Sequence, residues 1–187
     1  CHFVQRERAA SRAAPASAPS ESKQSASAAA PLVLIGPTQL NGWLQEYAAA
    51  AFPLADERAQ FLSSFRFVRC ADVRAGAQPQ SQDASVAAHA LKELGLSALH
   101  NVPVIHCFDS WGLVISHSSG WKLVYSGDTR PCPALEEHGR GATVLIHEAT
   151  LEEGMEAEAL EKNHSTTKQA IQSGVKCAFA RCHARAV

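Results

Sequence analysis

Between Val102 and Thr167, strand-length apolar runs alternate with short polar clusters, and each cluster carries ligand-type side chains. Val102-Pro-Val-Ile-His106 ends in a histidine. Trp121 to Tyr125 runs into Ser126-Gly-Asp-Thr-Arg-Pro-Cys132, and Ala142 to Ile146 runs into His147-Glu-Ala-Thr150. The fourth cluster, His164-Ser-Thr-Thr167, follows a helical segment. Histidines and carboxylates at strand exits are how a layered scaffold gathers a metal site along one rim. A hairpin followed by alternating strands and helices predicts layered α/β architecture.

The flanking elements read in the same way. Leu32 to Ile35, bounded by Pro31 and Gly36-Pro37, predicts a buried strand. Thr38 is placed to cap a helix through Ala51 with Leu40, Trp43, Leu44 and Tyr47 on one face, and Pro53 stops it. Phe65, Phe67 and Cys70 alternate with polar neighbours as a strand does. Residues 74–85 predict a loop, and Val86 to Leu94 a helix with Gly95 as its C-cap. Strands are predicted over Val102–Cys107, Trp111–His117, Trp121–Ser126 and Ala142–Ile146, with Ser118-Ser-Gly120 as a hairpin connection. Helices are predicted over Cys132–His138, over the acidic stretch Leu151–Lys162, and from a Ser165 or Thr166 cap to Ser173, ended by Gly174.

Residues 1–30 are dominated by Ala, Ser, Arg, Gln and Pro and predict a low-complexity, disordered linker. The folded domain is expected over 31–178, with a divergent tail at 179–187. Net charge is −1, so any nucleic-acid binding has to come from local patches. The sequence holds 6 cysteines without a Cys-x-x-Cys pair, which fits reduced thiols in an intracellular protein. Cys177 with Cys182-His183 lacks metal-site spacing. No apolar run is long enough to span a membrane. Cys1-His-Phe-Val is no leader peptide, and the chain reads as a stretch beginning inside a longer protein.

Taken singly, each candidate residue has a plain structural reading. His106 could be a satisfied histidine at a strand end, and Asp128 could close an Asx-turn after Gly127. His147-Glu148 could precede a helix capped by Thr150, with Glu152 and Glu153 in its first turn. His164 could be a solvated neighbour of a cap. Their functional readings are metal ligation, orientation of a ligand, and proton transfer. The run Glu152 to Glu161 is a solvated helix face.

Taken together, Val102-Pro-Val-Ile-His-Cys107, Gly120-Trp-Lys-Leu-Val-Tyr-Ser-Gly-Asp-Thr-Arg-Pro-Cys132, Leu145-Ile-His-Glu-Ala-Thr-Leu-Glu152 and Asn163-His-Ser-Thr-Thr167 resemble the C-terminal half of ribonuclease Z in its long, eukaryotic form. Pro31 to Tyr47 resembles the segment after that family's main histidine motif, and Gln5-Arg-Glu-Arg-Ala9 the helix before it. The resemblance implies a partial metallo-β-lactamase fold, an αββα sandwich incomplete at both ends. It implies a zinc-dependent endonuclease that removes the 3′ trailer from precursor tRNA with a pair of zinc ions. His106 would ligate one zinc and Asp128 would bridge both. His164 would contact the phosphate or protonate the leaving 3′ oxygen, and Glu148 would orient His164. The resemblance leaves the role of His147 open, a structural one included. The implied partner is precursor tRNA, with no membrane, and the implied compartments are the nucleus and the mitochondrion.

The departures bear on the outcome. The family's His-x-His-x-Asp-His motif does not occur in the 187 residues, and His183 lacks the surroundings of the family's last ligand. His106 and Asp128 alone are fewer donors than a zinc site uses. This chain by itself is therefore expected to bind zinc weakly and cleave nothing, with an open sheet edge. Two alternatives remain at this stage: another metallo-β-lactamase-fold nuclease or hydrolase, and a degenerate, non-catalytic binding module. The His-Ser-Thr cluster after the acidic helix argues against the first. Intact Asp128, Glu148 and His164 argue against the second.

Overall fold

Leu32–Gly36 forms strand β1 and pairs in parallel with β2, Phe65–Arg69. The structure, a computed structural model, describes residues 31–77 and 82–178. The predicted linker and tail lie outside the described residues. A parallel pair needs a crossover, which the helices α1, Thr38–Ala51, and α2, Ala55–Ser63, supply. β1 is not the buried strand predicted: Leu32 is 66% exposed and only Gly36 is buried. The reason is that β1 has a single strand neighbour among the described residues. The α1 face is also narrower than predicted. Leu44 and Ala48 are buried, while Trp43 and Tyr47 lie at the margin of the stripe, stacked on each other with ring centroids 5.5 Å apart.

Thr38 does not cap α1. It is the helix's first residue, and its backbone N–H donates to Asp109 Oδ2 at 2.7 Å. The acceptor for the helix N-terminus thus comes from a distant loop, where a carboxylate also complements the helix dipole. After β2 a 3₁₀ turn spans Cys70–Val73. Helix α3, Gln82–Glu93, starts earlier than predicted and ends at Gly95, whose φ of 72° is the left-handed cap expected.

The second sheet has four strands in the order β3-β4-β5-β6. β3 (Leu96–Pro103), β4 (Trp111–His117) and β5 (Lys122–Tyr125) are antiparallel neighbours, and β6 (Val144–Ile146) lies parallel to β5. The strand predicted over Val102–Cys107 is therefore displaced. Its pairing ends where Pro103 faces Trp111, and Val104 N–H donates to Ser110 O to close a loop. His106 sits in that loop, not on the strand. β6 has no further strand beside it among the described residues, and its Val144 and Ile146 are exposed.

Helix α4, Pro133–His138, forms as predicted. The acidic helix does not begin at Leu151. That residue makes a parallel bridge to Thr166, Gly154 turns the chain at φ 94°, and helix α5 covers only Glu156–Lys162. Thr150 consequently caps nothing. The last helix, α6, runs Thr167–Ala178 and passes through Gly174. Thr166 is its N-cap: Thr166 Oγ1 accepts from Gln169 N–H and Gln169 Oε1 accepts from Thr166 N–H, a capping box. Burial of Ser173 and Cys177 carries the helix past a glycine whose intrinsic cost is about 1 kcal/mol.

Val102, Val114, Val124, Cys132 and Leu135 form the buried cluster where α4 packs on the second sheet. Gly112 belongs to that packing, since a Cβ there would meet Leu135 Cδ1 at 2.8 Å and Tyr125 O at 3.0 Å. Leu135→Ala is expected to destabilise the chain by about 2–5 kcal/mol in urea unfolding. Leu160→Ala, at a 60% exposed position, should cost less than about 0.5 kcal/mol. Equal effects from the two would contradict this assignment of the core.

Candidate functional site

Four loops that leave the second sheet and α5 meet at one point. Gly127, at φ 60°, turns the chain directly after β5, and a Cβ on it would sit 2.9 Å from Trp111 O. The turn presents Asp128 with its side chain 62% exposed. The Asx-turn alternative is not realised, because the Asp128 carboxylate takes no backbone hydrogen bond. It faces His106 Nε2 at 3.9 Å instead. The rings of His106 and His164 lie 4.7 Å apart by centroids. One ligand atom each from His106, Asp128 and His164 lies within 4.8 Å of the others. A cavity of about 630 Å³ opens beside His106 and Asp128 and is lined also by Cys107, Phe108 and Asp109.

Behind the trio lies Glu148, its side chain 8% exposed. Oε1 accepts from Thr129 N–H at 2.7 Å and from His164 Nδ1 at 2.9 Å. Oε2 accepts from the Thr150 hydroxyl at 2.8 Å, from Ser165 N–H at 3.1 Å and from Thr150 N–H at 3.2 Å. Burial by itself pushes this carboxyl's pKa up. The donors from Thr129, Thr150, Ser165 and His164 together outweigh burial and hold it below the ordinary 4.5. A carboxylate can only accept, so His164 carries a proton on Nδ1 and its Nε2 is left for a ligand.

Buried hydroxyls join the loops. Ser126 Oγ accepts from Glu148 N–H at 2.9 Å, and Thr129 Oγ1 accepts from Ile105 N–H at 3.0 Å. Ser165 Oγ donates to Thr129 O at 2.7 Å. All three of these residues have no exposed surface. Ser126 and Thr129 flank Gly127-Asp128, and Ser165 follows His164; that adjacency is the one signal of their role in the sequence. Ser165, a candidate cap, is one of these struts. His147 stands apart: its Nδ1–H donates to Glu148 O at 2.7 Å, and its Nε2 is buried without a partner. The four expected site residues thus converge, and His147 does not join them.

The trio fits a divalent metal by its chemistry. Two imidazole nitrogens and a carboxylate oxygen are donors that zinc takes, and the exposed Asp128 leaves the point accessible. Among the described residues this is the one cluster of ligand-type groups that converges so closely.

No family model matches the chain. The zinc phosphodiesterase ELAC protein 2 of Macaca fascicularis is 41% identical over 147 residues, 78% of this chain and 17% of that protein. Its Rattus norvegicus counterpart is 42% identical over the same length. The mitochondrial tRNase Z TRZ3 of Arabidopsis thaliana is 51% identical over 94 residues, 45% of this chain. The chain thus spans about a sixth of the length of the ELAC protein 2 relatives and 11% of the Arabidopsis thaliana one. Among solved structures, a long form RNase Z from yeast superposes with a TM-score of 0.66 at 20% identity, over 79% of this chain and 23% of that one. The short form of human tRNase Z gives a TM-score of 0.56 at 19% identity. The fold is the metallo-β-lactamase fold of these structures, mixed α/β as expected.

Glu148→Ala should strand buried N–H donors of Thr129 and Ser165 and destabilise the chain by about 3 kcal/mol in urea. The carboxyl's folded-state pKa lies below 4.5, so its contribution is complete above pH 4.5 and is lost as pH falls through the lower folded value. The stability gap between the native chain and Glu148→Gln should therefore be flat above pH 4.5 and close on further acidification. A gap that instead closes on raising the pH would contradict the network.

Proposed function

We propose, for a chain related to tRNase Z across most of its length, that its convergent side chains are part of a zinc-dependent phosphodiesterase centre that removes the 3′ trailer from precursor tRNA. The observation that carries this reading is the placement of His106, Asp128 and His164 within 4.8 Å of one another. Bound zinc supplies a Lewis acid and a nucleophile at neutral pH.

The chain's own groups divide the remaining work. His106 offers Nε2 from a ring whose other nitrogen is already hydrogen bonded. Asp128 offers an exposed carboxylate on a tight turn and would help to hold the metal. His164, held by Glu148 through Nδ1, presents Nε2 toward the same point; free of metal and protonated on both nitrogens, it would give its Nε2 proton to the leaving 3′ oxygen and keep the one on Nδ1. The ion pair with Glu148 orients the ring and supports its positive charge during transfer. Glu148 does not meet the substrate. His147 keeps the strand exit in place through its bond to the Glu148 carbonyl.

The proposed substrate is precursor tRNA, and the proposed compartments are the nucleus and the mitochondrion. The Arabidopsis thaliana relatives are named as mitochondrial. No helix among the described residues is long and apolar enough to cross a membrane.

The test is a hybrid in which this stretch replaces the matching residues of the Rattus norvegicus relative. Trailer removal should persist. His164→Ala should lower kcat by about 10²–10⁴-fold, and Asp128→Asn should remove both cleavage and one or both zinc ions. A folded hybrid that cleaves equally well with Asp128→Asn would reject the assignment. The 187-residue chain alone is expected to bind zinc no tighter than about 1 μM by calorimetry and to leave precursor tRNA intact. Tight stoichiometric zinc together with cleavage would overturn that expectation.

A further inference from the structure

Asn163 closes α5 in the left-handed region, at φ 55° and ψ 42°. Asparagine is among the few residues other than glycine that visit this region routinely. Two groups of Asn163 reach the same neighbour. Its backbone carbonyl accepts from His106 Nδ1 at 3.1 Å, and its side-chain Nδ2 donates to His106 O at 3.3 Å. A backbone carbonyl only accepts, so the His106 proton must sit on Nδ1. The lone pair is then on Nε2, the atom that faces Asp128 at 3.9 Å. The next residue in the chain is His164, whose own ring is fixed by Glu148. One turn of backbone therefore sets the orientation of two of the three converging side chains.

We propose that Asn163 is a positioning residue: it selects the Nδ1-protonated tautomer of His106 and aims Nε2 at the cluster. The left-handed turn places the carbonyl, and the amide holds the His106 backbone against it. A metal-ligating histidine depends on such a partner at its second nitrogen, and losing one typically costs 10–100-fold in metal affinity. The proposal rests on reading His106 as a ligand, but the tautomer itself can be measured with no metal present.

The experiment uses the ¹⁵N-labelled 187-residue chain without metal, at a pH where its histidines are neutral. Long-range ¹H–¹⁵N correlation reports which ring nitrogen of His106 carries the proton. The wild-type chain should show a protonated Nδ1. Asn163→Gly keeps the left-handed turn and the carbonyl, and should keep that tautomer. Asn163→Val, whose β-branch disfavours positive φ, should shift His106 toward the Nε2-protonated form and lower zinc affinity about tenfold. The methyl resonances of Val114 and Val124 report whether the fold survives. If the valine variant does not fold, Asn163→Asp decides: it tolerates the turn but sets an oxygen against His106 O, and should weaken the tautomer bias. A wild-type His106 protonated at Nε2 would overturn the proposal. So would a folded valine variant, or an aspartate variant, with tautomer and zinc affinity unchanged. If the tautomer responds as stated while His106→Ala leaves the zinc affinity of the chain unchanged, positioning by Asn163 holds and the ligand reading of His106 falls.

Discussion

The buried carboxylate of Glu148 is the interaction on which the site depends. It gathers N–H and O–H donors from Thr129, Thr150, His164 and Ser165, which belong to three separate loops. Each loop leaves a different element: Thr129 follows β5, Thr150 follows β6, and His164 and Ser165 follow α5. None of these loops is regular structure, and the isolated bridge of Leu151 to Thr166 joins only two of them. A single ionised group with five donors ties all three. Hydrogen bonds to a charged acceptor are about twice as strong as neutral ones, and burial removes competition from water. The loops therefore behave as one piece.

The hydroxyls extend that piece. Ser126, Thr129 and Ser165 have no exposed surface, yet each is hydrogen bonded. Thr129 reaches Ile105, the residue before His106, and so ties the fourth loop to the other three. Asp109, at φ 60°, carries the connection outward: it accepts from Trp111 Nε1 and from the first N–H of α1. The loop that bears His106 is thus fixed at one end to the polar network and at the other to the helix over the first sheet. Such pinning allows exposed Asp128 and half-buried His106 to keep their separation without regular structure around them.

Several elements were legible because their signals are local. β4 at Trp111–His117 is marked by the apolar run Leu113-Val-Ile115, and Gly120, at φ 94°, turns its hairpin as its place in the loop suggested. Gly95 and Gly127 adopt positive φ where the chain had to turn. The extents of β3, α5 and α6 were not legible, because distant partners set them. Pro103 ends its strand opposite Trp111, Leu151 is drawn from its helix by a bridge to Thr166, and α6 runs through Gly174 on the strength of buried Ser173 and Cys177. Thr38 and Thr150 both sit where a cap belongs. Asp109 reaches the α1 terminus from afar, and Glu148 claims the Thr150 hydroxyl.

By itself the sequence determined the α/β class and the hairpin, and it singled out His106, Asp128, Glu148 and His164 as candidate site residues. These follow from side-chain type, from hydrophobic period and from proximity along the chain. Only the tertiary structure decided that His106, Asp128 and His164 share one point, that Glu148 stands behind His164 with five donors, and that Asn163 governs the His106 ring. Residues 106 and 163 are remote in sequence, and no local propensity encodes a hydrogen bond between them. Such a bond exists only once the strands and helices have packed, because packing alone sets distances between segments that the chain keeps apart.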